Sequence, residues 1–277
     1  MTLSFPKPQI PYPAATWGQA DAPPLLLLHG FTGSGQSWAD VAAPLAGLGH
    51  RVIAPDLPGH GGNLPADPGA YGMERVAEAL ADLIDREVGG PVHLLGYSMG
   101  GRLALYFAQA FPEKVRSLVL ESASPGLATE AERSARRAAD DALADRIEAE
   151  GIPAFVTFWE SLTLWQSQAR LAEDVRQGLR EKRLQNNASG LAHSLRKMGT
   201  GVQPSLWARL PDVTLPTLLI AGAEDAKFAA INRQMAAAMP NARLIVVPES
   251  GHTIHLEQPE RFTAELLAFL HKIEESA

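Results

Sequence analysis

Gly96-Tyr97-Ser98-Met99-Gly100 decides the fold. The pentapeptide follows the apolar run Pro91-Val92-His93-Leu94-Leu95 and leads into a helical pattern over 102–110. A Gly-x-Ser-x-Gly sequence between a strand and a helix forces a tight turn, in which the glycines leave room and the serine Oγ stands at the sheet edge. The motif alone is weak, because the same residues make ordinary turns. Its context supplies the rest: a buried-strand run before it, Gly100-Gly101 for close helix-sheet packing, and partners downstream in the order Ser, Asp, His.

Outward from the turn, short apolar runs bounded by Gly, Pro or Asp recur at 25–28, 51–54, 92–95, 117–120, 218–221 and 244–247. They read as strands buried on both faces. Helical patterns lie between or after them at 38–48, 73–88, 102–111, 229–239 and 259–273. Such alternation predicts an α/β fold, a mostly parallel sheet with helices on both faces. From 126 to 210 only helical patterns appear, after Glu121-Ser122-Ala123-Ser124-Pro125 at a strand's carboxyl end. Open parallel sheets bind ligands at that edge, so the insertion is expected to cap the site. The expected division is a core of 1–125 and 211–277 with a helical cap of 126–210.

With 277 residues, 46% of them hydrophobic, the chain can bury a large core. Zero cysteines exclude disulfides, thiolate metal sites and a cysteine nucleophile, and no histidine spacing suits a metal. The start, Met1-Thr2-Leu3-Ser4-Phe5-Pro6-Lys7, has no apolar targeting segment, and no later run is long enough to span a bilayer. A soluble cytoplasmic protein is the expectation. A net charge of -7 argues against nucleic acid. The cap segment is the less acidic part, carrying twelve Lys+Arg against eleven Asp+Glu. Most of those charges read as solvated helix faces.

Serine reacts only when an imidazole accepts its proton, and a carboxylate fixes that imidazole's tautomer. Asp225 follows the strand at 218–221 and His252 the strand at 244–247, so both are expected on the edge that carries Ser98. Glu224 and His255 are their nearest rivals. The segment His29-Gly30-Phe31-Thr32-Gly33 follows the strand at 25–28, which lets the Phe31 and Met99 amides form an oxyanion hole. Arg102 is out of place: it stands in the first turn of a buried helix, where the dipole disfavours a cation. It should face an anion, either an internal carboxylate or a bound one. Arg133, Arg136 and Arg137 on one helical stretch, and Arg183 beside Gln185-Asn186-Asn187, are placed to join it if the cap closes. Together they predict a polyanionic substrate. Trp159 and Trp165 fit either the cap's core or a ligand wall.

The chain resembles the α/β-hydrolase fold along nearly its whole length, through His29-Gly30-Phe31, the Ser98 turn and Gly251-His252. More narrowly it resembles the 2-succinyl-6-hydroxy-2,4-cyclohexadiene-1-carboxylate synthases, lyases of menaquinone biosynthesis. That resemblance rests on Gly30-Phe31-Thr32-Gly33-Ser34, Tyr97-Ser98-Met99-Gly100-Gly101-Arg102, Ser124-Pro125-Gly126-Leu127, the run from Met198 to Trp207, and Asp225-Ala226-Lys227-Phe228. It implies Ser98, Asp225 and His252 as triad, and Arg102, Arg136 and Arg183 as ligands of substrate carboxylates, with Arg180 the rival of Arg183. Tyr97, Trp159 and Lys227 are implied as their neighbours. It also implies elimination of pyruvate from a tricarboxylate, with the serine as base and no cofactor or obligate protein partner. Asn63 and Trp165 depart from the family pattern. An ester or C–C hydrolase shares every triad residue, and a ligand-binding receptor on this fold is the reading from another class.

Overall fold

The computed structural model describes residues 12–275. The opening Met1–Lys7 stretch lies outside the described residues. Seven strands form one sheet in the order β1-β3-β2-β4-β5-β6-β7. They are β1 (Ala14–Trp17), β2 (Pro24–Leu28), β3 (Arg51–Pro55), β4 (Val92–Tyr97), β5 (Val115–Glu121), β6 (Thr217–Gly222) and β7 (Ala242–Val247). All neighbours are parallel except β1 against β3. The edge strand β1 has no expectation above, and β7 is only half-buried rather than covered on both faces. The cause is position: each closes one side of the sheet and has a single neighbour.

Alternation within each central strand sends side chains to two separate cores. Leu26, Leu28, Leu94, Leu118 and Leu120 pack under α2 (Met73–Glu87) and α3 (Met99–Ala110). Leu25, Leu27, Leu95, Val119 and Leu218 pack on the other face, against α1 (Ala39–Gly47) and the C-terminal helix Pro259–Glu274. Both faces are covered, so the strands read as unbroken apolar runs.

Between β5 and β6 stand three helices, α4 (Glu130–Glu160), α5 (Glu173–Leu184) and α6 (Ala188–Met198). Gly151, at φ 79°, and Pro153 kink α4 midway. Helices α4 and α6 share a third core of Ile147, Phe155, Val156, Leu191 and Leu195, onto which Phe31 of the sheet domain also packs. Met198, Leu206 and Leu210 instead join the core of the main sheet, so the chain returns to the sheet about a dozen residues before 210. No helix among the described residues is long and apolar enough to cross a membrane.

Burial holds three imidazoles neutral. It pushes His29 down to about 4, His60 to about 3 and His93 to about 4, from an ordinary value of 6.5. Above about pH 6.5 both folded and unfolded chains hold these groups neutral. Between about 6.5 and 4 the unfolded chain takes up protons that the folded chain refuses, so stability falls as pH falls. Tm measured from pH 7.5 down to 4.5 is therefore expected to decline steadily, by several degrees or more. A flat profile would sink this assignment.

Candidate active site

The strand order reverses beside β2, with β3 on one side and β4 on the other, which is where ligands bind on an open parallel sheet. Leu28 pairs with Gly96, so the loops leaving β2 and β4 start side by side. The first is His29–Gly33; the second is the turn at Ser98. Ser98 sits at φ 50°, in the left-handed region, between strand and helix. A Cβ on Gly96 would lie 2.4 Å from the Gly100 carbonyl, and one on Gly100 would lie 2.2 Å from the Leu28 carbonyl. Only glycines allow this turn to close against β2.

Asp225 follows β6 and N-caps α7 (Ala226–Ala238), accepting the Phe228 amide at 3.2 Å. His252 follows β7, two strands beyond β5, and must be brought back across the sheet edge to reach Ser98. Glu121, buried at the end of β5, does this: it accepts the His255 amide at 3.0 Å and bonds His255 Nδ1 at 2.7 Å. The Glu121 carbonyl also accepts the Ser98 amide at 2.9 Å. His252 Nδ1 then meets Asp225 Oδ2 at 2.6 Å, and Nε2 meets Ser98 Oγ at 2.9 Å. Asp225 accepts a hydrogen bond from Nδ1–H and so keeps the proton there, which leaves Nε2 as an acceptor for the serine hydroxyl. His252 is 1% exposed, its ring against Phe228, Tyr97 and Trp165. The rival Glu224 faces outward and pairs with Arg170. The rival His255 is the residue that Glu121 holds.

Among the described residues, no acceptor pairs with the Phe31 or Met99 amide, and both residues line the cavity over Ser98. His29 shapes that loop: Nε2 accepts the Leu57 amide at 3.0 Å, so Nδ1 carries the proton given to the Gly30 carbonyl at 2.8 Å.

Tyr97, Arg102, Arg136, Trp159 and Lys227 line the same cavity as Ser98 and His252. Arg102 donates to the Met198 carbonyl and to Gln203 Oε1, each at 3.0 Å, and among the described residues has no carboxylate within ion-pair distance. Burial, then the nearby Arg136, push its guanidinium down to about 10, which leaves it cationic at neutral pH. Arg136 is held at Nε by Asp140, at 2.7 Å, with its side chain 44% exposed.

Arg183 departs from expectation. It lines two neighbouring cavities rather than the one over Ser98, beyond the ring of Trp165, whose centroid lies 5.5 Å from its guanidinium carbon. Glu160 at 3.1 Å and Gln168 at 3.3 Å account for the turn. Its rival Arg180 shares Glu160 and reaches Thr157. Asn63 and Trp165, the two departures from the family pattern, differ in consequence. Asn63 donates to the Asp56 carbonyl at 2.7 Å and does not line the cavity, whereas Trp165 is a wall of all three cavities. The sequence assigns no site role to Glu121, Asp140 or Asn186, and Gln203 enters only within the run from Met198 to Trp207. The only local signal was the four-residue spacing of Arg136 and Asp140 on one helix.

Residues 23–259 match the alpha/beta hydrolase fold family. A Bacillus subtilis (strain 168) protein provisionally named a 2-succinyl-6-hydroxy-2,4-cyclohexadiene-1-carboxylate synthase is 46% identical, over 95% of each chain. The synthase of that name from Serratia proteamaculans is 32% identical, over 91% of this chain and 95% of its own. The chain belongs to this synthase family. A solved structure, MenH from S. aureus, superposes with a TM-score of 0.90 at 35% identity, covering 94% of this chain and 98% of the other. Arg102, which donates to two neutral oxygens, shares its cavity with the serine and imidazole of the triad.

Proposed function

We propose that the chain is a carbon-oxygen lyase of menaquinone biosynthesis. It eliminates pyruvate from 2-succinyl-5-enolpyruvyl-6-hydroxy-3-cyclohexene-1-carboxylate and gives 2-succinyl-6-hydroxy-2,4-cyclohexadiene-1-carboxylate. The observation that carries this over a hydrolase is Arg102: a desolvated cation held by two neutral oxygens, in one cavity with Ser98, Arg136 and Lys227. An ester pocket has no use for that charge, whereas a substrate with three carboxylates neutralises it.

In this mechanism Ser98 Oγ gives its proton to His252 Nε2 as it takes the ring proton beside the succinyl ketone. Asp225 stabilises the resulting imidazolium. The Phe31 and Met99 amides hold the developing enolate oxygen. Collapse of the enolate shifts the ring double bond and breaks the C–O bond to enolpyruvate. That leaving group takes up a proton, drawn from His252, to become pyruvate. No acyl-enzyme forms, and the serine is a base throughout. Arg102 and Arg136 bind carboxylates, and Tyr97, Trp159 and Lys227 bound the pocket. Arg183 reaches the substrate in this proposal only if it leaves Glu160. The proposal includes a cytoplasmic setting, in keeping with a trianion that does not cross membranes unaided; cell fractionation checks it.

Purified protein mixed with the enolpyruvyl substrate is expected to release one pyruvate per substrate, read by coupling to a pyruvate reductase. Release no faster than in buffer would overturn the proposal.

A further inference from the structure

The oxyanion loop is held from the cap as well as from the sheet. Asn186 stands in the short link between α5 and α6, and its Nδ2 donates to the Thr32 carbonyl at 2.9 Å and to the Arg183 carbonyl at 3.0 Å. Two carbonyl acceptors on one side fix which end of the amide faces the loop. Thr32 is β-branched, yet lies at φ 69° and is 7% exposed. A β-branched residue in that region is strained and persists only where its surroundings hold it. The residue before it is Phe31, whose amide has no acceptor among the described residues and whose ring packs edge-on against Trp159 and Phe155 of the cap. The Thr32–Gly33 peptide that Asn186 holds donates its own N–H to the Gly30 carbonyl at 3.1 Å, and that carbonyl shares a peptide plane with the Phe31 amide. The cap's grip on Thr32 thus reaches the amide through the turn, while ring packing holds the Phe31 side chain.

We infer that Asn186 is a positioning residue for the oxyanion hole: by gripping the Thr32 carbonyl, it fixes the direction in which the Phe31 amide points. The inference rests on the lyase reading. A seated cap thereby completes the hole, and an unseated cap leaves Thr32 free to relax and the amide to turn away. Asn187, one residue on, serves as the control. It N-caps α6 by accepting the Gly190 amide at 2.9 Å, a bond within its own helix rather than to the oxyanion loop.

The test compares Asn186→Ala, Asn186→Asp and Asn187→Ala in the full chain, by steady-state pyruvate release and by Tm. Asn186→Asp is nearly isosteric but lacks the N–H donor, so it separates the lost bond from a lost fold. Both Asn186 variants are expected to lose about tenfold in kcat with KM within about twofold, because the donor is misdirected rather than removed. Asn187→Ala is expected to lower Tm and leave kcat near the wild-type value. A second readout uses the Ser98→Ala background, where the bound ketone's C=O stretch should return toward its free-solution position when Asn186 is also changed. Wild-type kcat in both Asn186 variants, or an equal loss in Asn187→Ala, overturns the inference alone. Failure of the wild type to release pyruvate overturns the lyase reading, and the inference with it.

Discussion

Ser98→Ala is expected to fold normally, to bind the anionic substrate, and to release pyruvate at least a thousandfold more slowly, a loss of roughly 10³ to 10⁶ in kcat. The fold survives because the turn depends on Gly96 and Gly100, and the left-handed φ of 50° is no worse for alanine than for serine. Binding survives because Arg102, Arg136 and Lys227 keep their places in the cavity. Chemistry fails because His252 Nε2, 2.9 Å from the lost Oγ, is then an imidazole with no relay to the ring proton. The rate is measured by pyruvate release and binding by calorimetry. Near wild-type turnover in this variant would end the serine's role as base. A wild-type chain that binds without turning over would leave a receptor.

The central strands were readable because burial on both faces leaves an uninterrupted apolar run, and the helices of the sheet domain because they cover its faces with apolar stripes. Ser98, Asp225 and His252 could be placed for a related reason: each follows a strand end, and parallel strands present their ends on one edge. What could not be read depends on contacts distant in sequence. The edge strand β1 has four residues and alternating exposure, which a loop would match equally well. Arg183 is implied as a ligand by its place in the cap and by the family resemblance, yet its direction is set by Glu160 on another helix and by the ring of Trp165. Gln203 meets Arg102 across 101 residues and Asn186 meets Thr32 across 154, with no local pattern to announce either. Glu121 was quoted only as part of a strand end, although it draws the His252 loop across the sheet.

Arg102→Ala is expected to lower kcat/KM for pyruvate elimination ten- to a hundredfold, and Arg137→Ala to change it by less than about threefold. Charge-assisted hydrogen bonds to a carboxylate are worth about 1.5 to 3 kcal/mol, which corresponds to that first range. Arg102 stands one helical turn from Ser98 and lines its cavity. Arg137 has its charge spent elsewhere, on Glu130 and the Gly201 carbonyl, outside the cavity. Removing Arg102 leaves the Gln203 amide oxygen and the Met198 carbonyl facing one another without a donor, so some loss of stability accompanies the loss of binding. The comparison that separates the two readings of the triad is a small uncharged ester. In a pocket built for a tricarboxylate, wild-type hydrolysis of that ester is feeble, and it falls no further when Arg102 is removed. In an esterase, ester turnover is the best activity and Arg102 is irrelevant to it. Efficient ester hydrolysis by the wild type, with normal pyruvate release by Arg102→Ala, would transfer Ser98 from base to nucleophile and leave the cavity's cations without a function.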